Sequence, residues 1–126
     1  MDLRLTNNGL SWSNRSGNCG VRAIANYAGI DYAEARKMVK QVVSIGLVNR
    51  RGMLREEIDK VADKLGLEPV RLLERGTLEQ HAEFLGDGLY SIENPPHLTS
   101  VVDGVSVDNH DYRGCVAKVA YLPKVA

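Results

Sequence analysis

Hydrophobic residues in the first two thirds of the chain recur at the three- and four-residue spacing of amphipathic helices. This spacing predicts four helices, over residues 18–28, 31–45, 53–65 and 78–85. Capping signals support two of them, since Asp31 is followed by Glu34 and Thr77 by Gln80 in the arrangement of a capping box. A glycine follows each of the first three helices, as is typical of helix ends: Gly29, Gly46 and Gly66. We expect the segment LVNRRG, between the second and third helices, to be a mobile loop.

The last third of the chain shows the two-residue alternation of β-strands instead. Four short runs rich in β-branched or aromatic residues are separated by turn residues: GLYSIEN, HLTSVV, VSVDN and CVAKVAYL. A fifth run, EPVRLLE, precedes the last helix and also reads as a short strand. Helices followed by a run of strands predict an α+β fold, which we expect to form one domain over residues 1–126.

The dipeptide Asp103-Gly104 lies between two of these strands and is a strong signal for a two-residue hairpin. Counting outward from this turn makes Asp108 a diagonal neighbour of His97, while Asn109 points to the opposite face. The face shared with His97 then carries six side chains: His97, Thr99, Val101, Ser106, Asp108 and His110. A one-residue bulge would reverse the choice between Asp108 and Asn109, so the prediction depends on register.

Cys19 lies at the predicted start of the first helix, where the helix dipole and free N–H groups favour a thiolate. A thiolate nucleophile requires a histidine partner, and a carboxylate on the far ring nitrogen would orient that histidine. His97 with Asp108 fits these two roles. By contrast, His81 lies at the edge of an apolar helical stripe, which is typical of a packing residue, and His110 lies beside a turn.

Two segments of the chain resemble a known family. The segment NCGVRAIANYAGIDYAEA resembles the opening motif of small papain-like cysteine-peptidase-fold proteins, many of them encoded by bacteriophages and bacteria. HLTSVVDGVSVDN resembles their later segment, in which a histidine begins a strand and an aspartate lies on the return strand. The resemblance implies a papain-like fold, with Cys19 as nucleophile, His97 as base and Asp108 as the orienting acid.

The chain departs from this family at the oxyanion hole. Papain-like peptidases usually place a glutamine about six residues before the cysteine, where this chain has Ser13. Asn14 could donate in its place, together with the backbone N–H of Cys19, and Asn7 or Asn8 could also reach the site.

Composition excludes several classes of function. The 126 residues include 16 basic and 16 acidic ones, so no net charge draws the chain to nucleic acid or to anionic lipid. No apolar run approaches the roughly 18 residues of a membrane span, and the first residues lack the pattern of a signal peptide. We therefore expect a cytoplasmic monomer (in the host cytoplasm if phage-encoded), with both cysteines as free thiols.

These observations favour a cysteine peptidase-like hydrolase that cleaves an amide or isopeptide bond of a peptide or protein through a thioester, without cofactor or metal. An inactive papain-like module that binds a partner, such as a host protein, is the main alternative. Nucleic-acid binding through NRRGMLRE is weaker, because acidic residues are interspersed there. A metal site from His97, Asp108 and His110 matches no strong ligand spacing. The substrate stays open among a peptide, a ubiquitin-like tail, a cell-wall crosslink and a glutamine side chain.

Overall fold

A computed structural model describes residues 1–10 and 18–125 of the chain. Within these residues the elements follow one another in this order: β1 (Asp2–Leu5), α1 (Cys19–Ala28), α2 (Tyr32–Lys40), α3 (Ile45–Arg51), α4 (Arg55–Lys64), β2 (Leu67–Arg71), α5 (Leu78–Leu85), β3 (Gly88–Ile92), β4 (His97–Val102), β5 (Val105–Asp108) and β6 (Ala117–Pro123). The fold class is α+β, as the sequence predicts.

The described strands form one mixed sheet in the order β1-β5-β4-β3-β6-β2. β1 pairs parallel with β5, and every other neighbouring pair is antiparallel. The turn at Asp103 and Gly104 has positive φ at both residues, as a type I′ hairpin requires. It fixes the register of β4 on β5, with Val102 opposite Val105 and Val101 opposite Ser106. This register is the one that the sequence predicts.

Helices cover both faces of this sheet. On one face, Ile24 of α1 belongs to the same buried cluster as Leu98 of β4 and Tyr121 of β6. On the other face, Leu78 of α5 belongs to a second cluster with Tyr90 of β3. Helix α1 is therefore buried between the sheet and α2, and its first residue lies close to β4.

The predicted helix over 31–45 is wrong at its C-terminal end. α2 ends at Lys40, and the chain turns there so that Val43 packs into the core. The segment LVNRRG, which the sequence predicts as a mobile loop, lies largely within the helix α3 (Ile45–Arg51), where Val48 is fully buried. Tertiary burial of single valines outweighs the local pattern here.

Two other local features differ in how well the sequence predicts them. The helix over 78–85 is confirmed at both ends, since α5 spans Leu78–Leu85. At its start Thr77 and Gln80 form the predicted capping box. The strand β1 is missed, because most of its residues are exposed and its partner β5 lies about a hundred residues further along the chain. Among the described residues, no helix is long and apolar enough to cross a membrane.

Candidate active site

Cys19 is the first residue of α1 and is half-buried. The first N–H groups of any helix have no partner within the helix, so the backbone N–H of Cys19 is free of the helical ladder. Asn18 occupies the cap position, as the sequence suggests, but its side chain makes no capping hydrogen bond and is buried. The thiol thus lies at the positive end of a buried helix, where a thiolate is favoured.

His97 and Asp108 meet at the end of the β4–β5 hairpin. His97 is the first residue of β4 and Asp108 is the last of β5. The His97 Nε2 and Asp108 Oδ2 atoms are 2.7 Å apart, and the two side chains are 8% and 5% exposed. The predicted choice of Asp108 over Asn109 is confirmed in the geometry.

Cys19 completes this arrangement from the helix side. Its thiol hydrogen-bonds with His97. Because Nε2 of the ring is engaged by Asp108, Nδ1 is the nitrogen available to the sulfur. The structure therefore brings together all three residues that the sequence singles out for catalysis, from positions 19, 97 and 108.

The electrostatics favour a thiolate–imidazolium pair. Burial acts to raise the pKa of the Cys19 thiol, but the hydrogen bond and the charge of His97 outweigh burial and lower that pKa. Burial acts to lower the pKa of His97, and the hydrogen bonds to Asp108 and Cys19 overcome it, raising the pKa to about 9. With a pKa of about 9 the imidazole is protonated at neutral pH, and its charge favours the nucleophilic thiolate form of Cys19.

The carboxylate of Asp108 accepts three hydrogen bonds. Thr99 donates its hydroxyl to Oδ2 over 2.6 Å, beside the bond from His97. The backbone N–H of Asn109 donates to Oδ1, also over 2.6 Å. Donors of this kind stabilise the charged form of a carboxylate. Thr99 belongs to the predicted face, but its contact with Asp108 is not predicted.

Two further residues surround the pair without having been singled out. Tyr112 stacks on the imidazole of His97, with ring centroids 4.0 Å apart and planes 18° apart. Arg22 is buried one turn after Cys19. A sequence signal exists only for Arg22, which lies three positions after Cys19 and so on the same side of the helix.

The other histidines lie outside this arrangement. His110 is exposed and tilted against Tyr112 at 6.0 Å, because the observed pairing of β4 with β5 covers only residues 100–107. His81 lies on α5, where its Nε2 is beside Gly76 and away from Cys19 and Asp108. Within residues 1–10 and 18–125, no group of three or more His, Cys, Asp or Glu side chains is arranged to hold a metal ion.

A cleft of about 310 Å³ opens beside Cys19 and His97. Its floor crosses the sheet from Leu98 of β4 to Val119 of β6, and the connection between α3 and α4 forms a wall. Met53 of this connection lies against Gly20, so close that a β-carbon at Gly20 would come within 2.8 Å of the sulfur. The sequence gives no signal for this wall, because NRRGMLRE reads as a solvated, charged surface.

The oxyanion hole is described only in part. Cys19, whose backbone N–H is one of the predicted donors, lines the cleft. The proposed second donor, Asn14, lies outside the described residues.

Comparison of the chain with models of protein families, with curated proteins and with solved structures found no match. The chemistry of this site is therefore argued from its geometry.

Proposed function

We propose that this chain is a papain-like cysteine hydrolase that cleaves an amide or isopeptide bond through a thioester intermediate. The observation that carries the proposal is the hydrogen-bonded series from Cys19 through His97 to Asp108, with its sulfur end at the mouth of a cleft. A core cysteine needs no such partners, whereas a nucleophile needs each of them.

In the first half of the reaction, the Cys19 thiolate attacks the carbonyl carbon of a substrate held in the cleft. A carbon–sulfur bond forms, and the carbonyl oxygen becomes an oxyanion that accepts a hydrogen bond from the Cys19 N–H. The protonated His97 then gives its Nδ1 proton to the leaving nitrogen. The carbon–nitrogen bond breaks, the amine departs, and an acyl thioester stays on Cys19.

In the second half, His97 is neutral and acts as the general base. It takes a proton from water, which attacks the thioester carbonyl. The carbon–sulfur bond breaks, the acid product leaves, and the thiolate–imidazolium pair forms again. Throughout, Asp108 holds the ring with Nδ1 toward the sulfur, and Tyr112 covers the face of the imidazole.

Alkylation by iodoacetamide tests the proposal, because Cys115 is a second half-buried thiol in the same chain. An ordinary thiol with a pKa of about 8.5 is largely protonated at pH 6, whereas the lowered pKa of Cys19 leaves a larger fraction of that residue as thiolate. We expect Cys19 to react at least about tenfold faster than Cys115 at pH 6, as measured by mass spectrometry of the labelled peptides. The Cys19→Ala variant gives the rate of Cys115 alone.

His97→Ala should reduce the reaction of Cys19 at pH 6 to that of an ordinary thiol. Equal rates for the two cysteines in the unmodified chain, both rising only near pH 8.5, would contradict the proposal. Peptides and amides tipped with an electrophile, used as a panel, would then identify the substrate class by their covalent adducts on Cys19. Cys19→Ala and Cys19→Ser should abolish turnover of the resulting substrate.

A further inference from the structure

Thr99 is a fully buried hydroxyl residue in contact with the proposed catalytic carboxylate. It lies two residues after His97 on β4, so both side chains project from the same face of the sheet. Its Oγ1 is 2.6 Å from Asp108 Oδ2. An ionised carboxylate can only accept, so the hydroxyl donates.

We propose that Thr99 is a positioning residue that holds Asp108 Oδ2 against His97. This inference rests on the proposed function, in which Asp108 orients the imidazole. The Asn109 N–H holds Oδ1, and Thr99 holds Oδ2, so the carboxylate cannot rotate about its own bond without losing a donor. The carboxylate of Asp108 is therefore held in one orientation, in which Oδ2 accepts the hydrogen bond from His97.

The groups around Asp108 allow the effect of Thr99 to be separated from that of other charges. His97 approaches from β4, and Cys19 acts through His97 from α1. Tyr112 lies over the ring, and its pKa is raised by burial and by the charge of Asp108, an effect that the nearby cation of Arg22 partly opposes. On the β1 side, Leu5 is opposite Asp108, and two exposed charged residues precede it: Asp2 and Arg4. Thr99 itself carries no charge, so its replacement changes a single hydrogen bond.

The test replaces the hydroxyl by a methyl group of similar shape, in Thr99→Val. Because a donor to the charged form is lost, the carboxyl of Asp108 should titrate at higher pH in Thr99→Val than in the unmodified protein. The titration of that carboxyl carbon, followed by ¹³C NMR in aspartate-labelled protein, measures the change directly. Thr99→Ser keeps the hydroxyl and should keep the midpoint of the unmodified protein.

Ser100→Ala is the matched control. Ser100 is also fully buried, and its hydroxyl donates to the Val107 carbonyl over 2.7 Å, joining the same two strands. It projects to the opposite face, away from Asp108. A general loosening of the hairpin would move the carboxyl titration in Ser100→Ala as well, whereas positioning by Thr99 moves it in Thr99→Val alone.

Alkylation of Cys19 provides the functional readout. When Asp108 is protonated, the imidazolium loses its partner, so the acid limb of the rate profile should move to higher pH in Thr99→Val and return in Thr99→Ser. An unchanged carboxyl midpoint in Thr99→Val, or an equal shift in Ser100→Ala, would overturn the role of Thr99. If Thr99→Val does not fold, Thr99→Ala compared with Thr99→Ser gives the same contrast.

The proposed function and the proposed role of Thr99 would be rejected by different outcomes. If Cys19 reacts as an ordinary thiol in the unmodified chain, the proposed function is wrong, and the carboxyl titration still shows whether Thr99 controls Asp108. If Cys19 is activated but the midpoint does not move, the hydrolase proposal stands and the role of Thr99 is rejected.

Discussion

At the scale of single residues, the site depends on which of two neighbouring side chains faces His97. Asp108 and Asn109 are adjacent in the chain, and strand alternation sends them to opposite faces. The sequence predicts the choice correctly, because the Asp-Gly turn fixes the register and no bulge intervenes between β4 and β5. Neither the stacking of Tyr112 nor the hydrogen bond of Thr99 could be predicted, since rotamers and ring planes are set by packing.

Replacing Asp108 by asparagine should damage the site although the shape is kept. The carboxylate accepts bonds on both oxygens, from His97 and Thr99 on one and from the Asn109 N–H on the other. An amide has one acceptor oxygen, so its NH₂ group must face one of these donors. We expect Asp108→Asn to slow alkylation of Cys19 at neutral pH by at least about tenfold, the effect of losing about 1.4 kcal/mol.

Asn109→Ala is the control for this substitution, because it keeps the backbone N–H that contacts Asp108. Its alkylation rate should stay within about twofold of the unmodified chain, a difference of less than half a kcal/mol. A normal rate in Asp108→Asn, or equal losses in both variants, would show that the carboxylate does not orient the imidazole.

At the scale of elements, the parts predicted from the sequence are those with local signals. The start of α1, both ends of α5 and the β4–β5 turn each carry a cap, a glycine or a turn dipeptide within a few residues. The break between α2 and α3 has no comparable signal and results from the burial of Val48. The strand β1 depends on a partner distant in the chain. A sequence pattern of short range contains neither kind of information.

The hairpin turn that fixes the register is held from outside by Asp87. Its carboxylate accepts the backbone N–H groups of Asp103 and Gly104, over 2.6 and 3.0 Å. We expect Asp87→Ala to lower the free energy of unfolding by about 1 kcal/mol, measured by urea denaturation, since these bonds are at the surface. Glu83→Ala, which removes an exposed carboxylate of α5, should change it by less than about 0.5 kcal/mol. Equal stability of the two variants would mean that the turn needs no external support.

At the scale of the whole molecule, the site forms where separate layers meet. Helix α1 supplies Cys19, the sheet supplies His97 with Asp108, and the α3–α4 connection closes the cleft. The sequence predicts the first two contributions separately, because each has its own motif. It could not predict the cleft, since the contact of Met53 with Gly20 joins segments that are unrelated in pattern.

Because Cys19 and His97 meet only in the folded chain, the free energy of unfolding should depend on pH, and the Cys19→Ala variant should change that dependence. The unfolded chain binds two protons on Cys19 and His97 below pH 6.5, one between 6.5 and 9, and none above 9. The folded thiolate–imidazolium pair binds one. Stability from the pair therefore rises with pH up to about 6.5 and is level above that, because the unfolded thiol and the folded His97 both lose their proton near pH 9.

In Cys19→Ala only His97 titrates, and its pKa is still raised by Asp108 in the folded state. A raised pKa contributes stability that is complete below pH 6.5 and is lost as the pH rises further, so the variant should lose stability relative to the unmodified chain above pH 6.5. The relative loss should approach about 1.4 kcal/mol per pH unit at its steepest. Urea denaturation of both proteins from pH 5 to 9 measures this difference. Parallel curves would mean that folding does not lower the pKa of the Cys19 thiol, because a thiol that titrates alike in the folded and the unfolded chain adds no pH dependence to stability.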